Sequence, residues 1–317
     1  MKTETLVNVD HISRYYGDYS AVDDISFSVS RGEVLGFLGP NGAGKSTTMQ
    51  IICGALAPST GSVSIAGHDI TNEPKKAKQH IGFLPEQPPL YPDLTVDEYL
   101  KYCGRLHLIP ESKIGSSLRS CKERCGLIDS GERLIANLSK GYQQRVGIAQ
   151  AIIHSPSVVI LDEPTSGLDP MQIVEIRKLI DELSEEHSVI LSTHILSEVQ
   201  SSCHRVLIIN RGKLILDEDI KTLDSEAIHA CCVIALQKPP LLEELETLSG
   251  VTQVDIIDQH RFRISYLQDG DLPLHLAAAA AASGWGLFEL VPEHDSLEQT
   301  FVRLTRGEYN DYSSTSL

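Results

Sequence analysis

Long apolar runs are missing from this 317-residue chain. No stretch approaches the ~20 consecutive apolar residues that cross a bilayer, and the opening MKTETLVNVDHISRYYG has neither the basic start nor the apolar run of a secretory signal. A globular, soluble protein that does not itself enter a membrane is expected. Zinc-ligand spacing is missing too. Of the seven cysteines, Cys121 and Cys125 have three residues between them and Cys231 and Cys232 are adjacent, so reduced structural thiols in the cytoplasm are expected. A basic surplus is also absent: the formal net charge of −16 argues against a nucleic-acid surface, whose affinity comes from Lys and Arg neutralising phosphates. The deficit is uneven. Residues 1–222 hold 22 basic and 28 acidic side chains and residues 223–317 hold 5 and 15, which marks the acidic tail as a separate unit.

What is present is an alternation of strands and helices. With 41% hydrophobic residues the chain can bury a substantial core, and its length suggests two domains. β-Branched segments LVNVDHISRYYG and AVDDISFSVSRG are followed by the apolar run EVLGFLG, and further strands are expected at GSVSIAG, HIGFLPE and SVVILDEP. Residues 88–156 change to helical spacing in TVDEYLKYCGRLHL, ESKIGSSLRSCKERCGL and GYQQRVGIAQAIIHS, the first opened by a Thr95–Glu98 capping box. MQIVEIRKLIDELSEE, SVILSTH and LSEVQSSC then read as helix, strand and short helix, and RVLIINRGKLILDED as a hairpin around Arg211 and Gly212. Strand, crossover helix and strand in repetition imply a parallel sheet with helices packed on it. This domain is expected over 1–221, with the helical insertion at 88–156. Residues 222–307 read βαββαβ with a closing helix at SLEQTFVRLTRG, a small α+β ferredoxin-like domain in which the six alanines 277–282 belong to a packed helix. Residues 308–317 are polar and expected to be disordered.

Three motifs carry chemistry. GPNGAGKST runs through Gly39, Pro40, Asn41, Gly42, Ala43, Gly44, Lys45, Ser46 and Thr47 between an apolar strand and a helix. Its glycines let successive N–H groups curl around a β-phosphate, Lys45 reaches the β- and γ-phosphates, and Ser46 offers its hydroxyl to Mg2+. VVILDEP ends a buried strand on Asp162, placed for the metal shell, and Glu163, able to orient and deprotonate a water. His194 ends the next strand, at the carboxyl edge where nucleotides bind in open α/β sheets, and is expected to contact the γ-phosphate. LSKGY is a second phosphate-site pattern beside the glycine loop, with Ser139 and Gly141 opening a helix. An ordinary capped surface helix is its alternative. If it does bind an anion, that phosphate belongs to another copy of the chain, arranged head to tail.

The ordered set GPNGAGKS, LSKGYQQR, VVILDEPTSGLDP and STH resembles the ATP-binding subunit of an ABC transporter over residues 5–220. Lys140 and Tyr142 in the signature and the extra C-terminal domain resemble the branch serving drug and antibiotic exporters and gliding-motility ATPases. The resemblance implies a P-loop NTPase that binds ATP and Mg2+ and hydrolyses ATP to ADP and phosphate. It also implies a dimer with itself or a related ATPase chain, and transmembrane permease subunits as partners on the inner face of the membrane. By the same resemblance Tyr16, with Tyr15 as the alternative, stacks on adenine, Thr47 helps hold the α- and β-phosphates, and Asp169 lies at the dimer seam or only caps its helix. The family's Q-loop glutamine, an Mg2+ contact, aligns with Glu86, and Gln87 stands one place late. A relative without a membrane partner, acting in translation or DNA repair, is the alternative function; such relatives carry two cassettes or a coiled coil and need basic surfaces. A phosphate-loop kinase would leave LSKGY and SGLD without a role.

Overall fold

In the computed structural model, residues 4–225, 229–267 and 272–293 are described. The chain divides into two compact units between Ile220 and Lys221. In the first, β1 (Thr5–Tyr16) and β2 (Tyr19–Ser30) form a hairpin about Gly17 and Asp18. A two-residue connection forces antiparallel pairing, so these strands do not enter the parallel sheet. They join β4 (Thr60–Ile65) and the short β5 (His68–Asp69) in a separate antiparallel sheet of order β2-β1-β4-β5.

Between the two halves of that sheet the chain runs through β3 (Val34–Leu38), whose five residues are all buried, and α1 (Lys45–Ile52). After β5 come α2 (Pro74–Gln79) and β6 (Ile81–Leu84). The helical insertion follows as α3 (Val96–Leu106), α4 (Glu111–Arg124) and α5 (Lys140–Ile152). Thr95 and Glu98 make the expected capping box at the start of α3. β7 (Val158–Asp162), α6 (Pro170–Ser184), β8 (Ser188–Thr193), α7 (Leu196–Ser202), β9 (Arg205–Asn210) and β10 (Lys213–Asp219) complete the unit, and α8 (Ile220–Ser225) spans the division.

The second sheet has the order β10-β9-β3-β8-β7-β6, parallel except for the edge strand β10. Strands β3, β7 and β8 are buried along their whole length, as a sheet covered on both faces requires. Each fully buried Leu, Ile or Phe contributes about 1.5–3 kcal/mol. Parallel pairing brings the carboxyl ends of β3, β8, β7 and β6 to one edge, with Leu38 beside Thr193 and Asp162 beside Ser192. The β9–β10 hairpin turns at Arg211 (φ 49°) and Gly212 (φ 80°), as expected.

In the second unit β11 (His229–Leu236), α9 (Leu242–Glu246), β12 (Val251–Ile256), β13 (Arg261–Leu267), α10 (Leu272–Ala282) and β14 (Leu287–Glu293) give a sheet of order β12-β13-β11-β14, every neighbour antiparallel. Alternate residues Cys232, Ile234 and Leu236 of β11 and Phe262, Ile264 and Tyr266 of β13 face one core, with Leu272, Leu276 and Ala280 of α10. That spacing of four sets the alanine helix on the sheet, as its composition suggested. The helix expected over PPLLEELETLS shrinks to five residues, because Pro239 and Pro240 favour extended backbone before it. The expected closing helix at SLEQTFVRLTRG and the tail 308–317 lie outside the described residues.

Candidate active site

The loop after β3 depends on two glycines. A Cβ on Gly39 would lie 2.4 Å from the Ile209 carbonyl oxygen, and one on Gly44 would lie 2.5 Å from that of Ala21. Gly44 also has φ 109°, which an L side chain rarely adopts. The loop can therefore pack against β2 and β9 only without side chains there, and it delivers the first N–H groups of α1 unpaired. Lys45 is 5% exposed; its Nζ donates to the carbonyls of Gly39 (2.9 Å) and Pro40 (3.3 Å) and pairs with Glu163 Oε1 at 3.2 Å.

Glu163 leaves β7 in left-handed backbone, φ 49°, while its N–H donates to the Ser192 carbonyl at 3.0 Å. A non-glycine residue there carries strain of about 1–2 kcal/mol, which the surroundings must hold. The other carboxylate oxygen, Oε2, is 2.7 Å from His194 Nδ1. An ionised carboxylate only accepts, so the proton of that contact sits on Nδ1. Burial raises the Asp162 carboxyl above its usual range and the Glu163 charge adds to this, while hydrogen bonds from Ser192 and Ser46 and the charge of Lys45 oppose it. Ser192 Oγ donates to Asp162 Oδ1 from the neighbouring strand.

These groups open on a cavity of about 510 Å³ lined by Tyr16, Tyr19, Ala21, Asn41, Gly42, Gly44, Lys45, Ser46, Thr47, Glu86, Glu163, Ser166 and His194. Tyr15 and Gln87, the alternatives to Tyr16 and Glu86, do not line it. Gly39, Pro40, Ala43 and Asp162 are not among the lining residues. Ser139, Gly141 and Asp169 lie elsewhere: Ser139 caps α5, accepting from Tyr142 N at 3.4 Å, and Asp169 caps α6, accepting from Gln172 N at 3.0 Å. A Cβ on Gly141 would meet the Gln172 side chain at 2.7 Å, so within one chain the start of α5 abuts the start of α6. Sequence reasoning missed Tyr19, Ala21 and Ser166. Tyr19 pairs with Tyr16 across the Gly17–Asp18 turn, a hairpin signal that could have found it. Ser166 carried no signal beyond its place after DEPT.

The donor set fits a hard cation. The Ser46 hydroxyl is near enough to Asp162 to hold its carboxyl down, so a hydroxyl and a carboxylate lie together beside the loop, with Ser46 and Glu86 on the same cavity. Few protein oxygens, with phosphate and water completing the shell, suit Mg2+.

Comparison with known proteins agrees with this geometry. The family profile described as ABC transporter matches residues 22–166. An uncharacterized ABC transporter ATP-binding protein of Bacillus subtilis, YdbJ, is 34% identical over 311 residues, 97% of this chain and 98% of its own. The linearmycin resistance ATP-binding protein LnrL of the same organism is 31% identical over 312 residues, 96% of this chain and 100% of its own. Among solved structures, an ATP binding subunit of an ABC transporter superposes with a TM-score of 0.63 at 30% identity over 70% of this chain and 92% of that one. The dimeric post-hydrolysis state of the ATP-binding cassette MJ0796, bound to ADP and Pi, gives 0.61 at 25% identity over 68% and 99%. The phosphate loop, the acidic strand end and the histidine beside it thus belong to a P-loop ATPase, and the chain is a member of the ABC transporter ATP-binding protein family.

Proposed function

We propose that this chain hydrolyses ATP as a head-to-tail dimer, with itself or a related ATPase chain, on the cytoplasmic face of a separate transmembrane permease, and that transport runs outward. One observation carries the reading: Lys45, Ser46, Glu163 and His194 share one cavity, while Ser139 and Gly141, which open a helix with free N–H groups, do not line it. A second copy brings its α5 start to the γ-phosphate held by the first. ATP then joins the two chains and hydrolysis lets them part.

In this scheme Glu163 orients the water and takes its proton, and His194 leaves Nε2 for the γ-phosphate. Lys45 and the loop N–H groups hold the phosphates, and Tyr16 stacks on adenine. Ser46 and Asp162, with Glu86 beside them, would hold Mg2+, which would supply charge neutralisation at the phosphates. Among the described residues no helix is long and apolar enough to cross a membrane, so the pathway belongs to the permease. Exposed Tyr91, Tyr102, Leu106 and Leu108 on the helical insertion offer it an apolar contact. Full-length similarity to a linearmycin resistance protein supports export. A role in translation or DNA repair is not favoured, given the acidic balance.

The test is Glu163→Gln. Turnover falls at least about 100-fold while ATP stays bound to the purified chain. Turnover near that of the wild type overturns the mechanism.

A further inference from the structure

Glu198 lies in the first turn of α7 and is 1% exposed, yet among the described residues no lysine or arginine pairs with it. A buried carboxylate without a cation is expensive and persists only if hydrogen bonds compensate it. Two hydroxyls do so. Thr165 Oγ1 donates to Oε1 at 2.5 Å and Thr193 Oγ1 to Oε2 at 2.7 Å, and both threonines are buried. Thr193 Oγ1 in turn accepts from the Ile195 N–H at 3.0 Å.

The placement of these threonines gives the carboxylate its meaning. Thr165 is in the turn that begins at Glu163, where the Ser166 N–H donates to the Glu163 carbonyl and the Leu168 N–H to that of Thr165, one residue before the Asp169 cap. Thr193 immediately precedes His194. One side chain therefore clamps both backbone segments that carry the 2.7 Å Glu163–His194 contact, including the left-handed residue whose conformation needs outside support. The clamp is anchored. A Cβ on Gly36 of β3 would lie 2.8 Å from Val199 and 3.0 Å from Cys203, so the helix bearing Glu198 sits tightly on the strand that leads into the phosphate loop.

We propose that Glu198 is a positioning residue for hydrolysis, which fixes the Glu163–His194 pair through Thr165 and Thr193 and ties it to the turn that ends at Asp169. The proposal rests on the reading of Glu163 and His194 as the groups acting on water and phosphate. The experiment measures kcat and KM for Mg–ATP, and Tm, for the full-length wild type and the variants Glu198→Gln, Thr193→Val and Thr193→Ser. Glu198→Gln fills the same volume without the charge, so it lowers kcat about tenfold or more, keeps KM within about twofold, and leaves Tm unchanged or higher. Thr193→Val lowers kcat likewise, and Thr193→Ser, which keeps the hydroxyl, restores it. A kcat for Glu198→Gln within twofold of wild type, or equal losses in Thr193→Val and Thr193→Ser, overturns the proposal. Absence of ATPase activity in the wild type instead overturns the reading on which it rests.

Discussion

Tyr16 presents its ring to the cavity with the Arg14 guanidinium 4.8 Å from the ring centroid. Arg14 is itself held by the Ala57 carbonyl at 3.1 Å, so the ring is backed by a fixed cation. Base–aromatic stacking contributes about 1–3 kcal/mol, so Tyr16→Ala raises KM for ATP about tenfold with little change in kcat, and Tyr16→Phe stays near wild type. A Tyr16→Ala enzyme with unchanged KM would move the base elsewhere, with Tyr19 the next ring on the cavity. At this scale the sequence singled out Lys45, Ser46, Glu163 and His194, which line one cavity, because their chemistry is local to a motif. It did not show Arg14, Ser192 or Glu198, whose hydrogen bonds with Ala57, Asp162 and Thr165 join residues 43, 30 and 33 apart in the chain, and each of which looks, alone, like a solvated polar residue.

The helices of the insertion carry a titration of their own. His107 at the end of α3 and His154 just beyond α5 stack with centroids 3.7 Å apart and planes at 8°. His154 Nε2 meets the Ile81 carbonyl at 3.0 Å, and its buried Nδ1 has no partner. Burial, with the neighbouring His107 adding to it, pushes His154 down to about 4, and burial also lowers His107. A lowered folded-state value means the unfolded chain binds the proton more readily. Stability from His154 is therefore complete above pH 6.5 and is lost as pH falls towards 4, a loss of about 3 kcal/mol. Urea midpoints of the wild type should drop more between pH 7 and 4.5 than those of His154→Gln; parallel slopes would contradict this. The start of α3 was legible in Thr95 and Glu98 and that of α5 in Ser139, since caps are local chemistry. The six-residue α2, PKKAKQ, was missed because it is too short and polar to show a period. The antiparallel sheet of β1, β2 and β4 was missed because β-branched runs announce strands but not their partners.

On the scale of the molecule, the division at Ile220 and Lys221 falls beside the point where the charge balance changes, so composition alone indicated a second unit. Its strands and helices come in the βαββαβ succession read in the sequence. The phosphate loop opens α1 and the signature opens α5 in the helical insertion, and within one chain the second contributes nothing to the first site's lining. In the proposed dimer the capped start of α5 serves a phosphate that another subunit holds.

A structure of full-length Glu163→Gln with Mg–ATP tests that claim most directly. The account predicts two chains with each γ-phosphate in hydrogen-bond reach of Lys45 from one and of Ser139 and Gly141 from the other. Nucleotide enclosed by a single chain, with residues 138–142 of every copy turned to solvent, would contradict it.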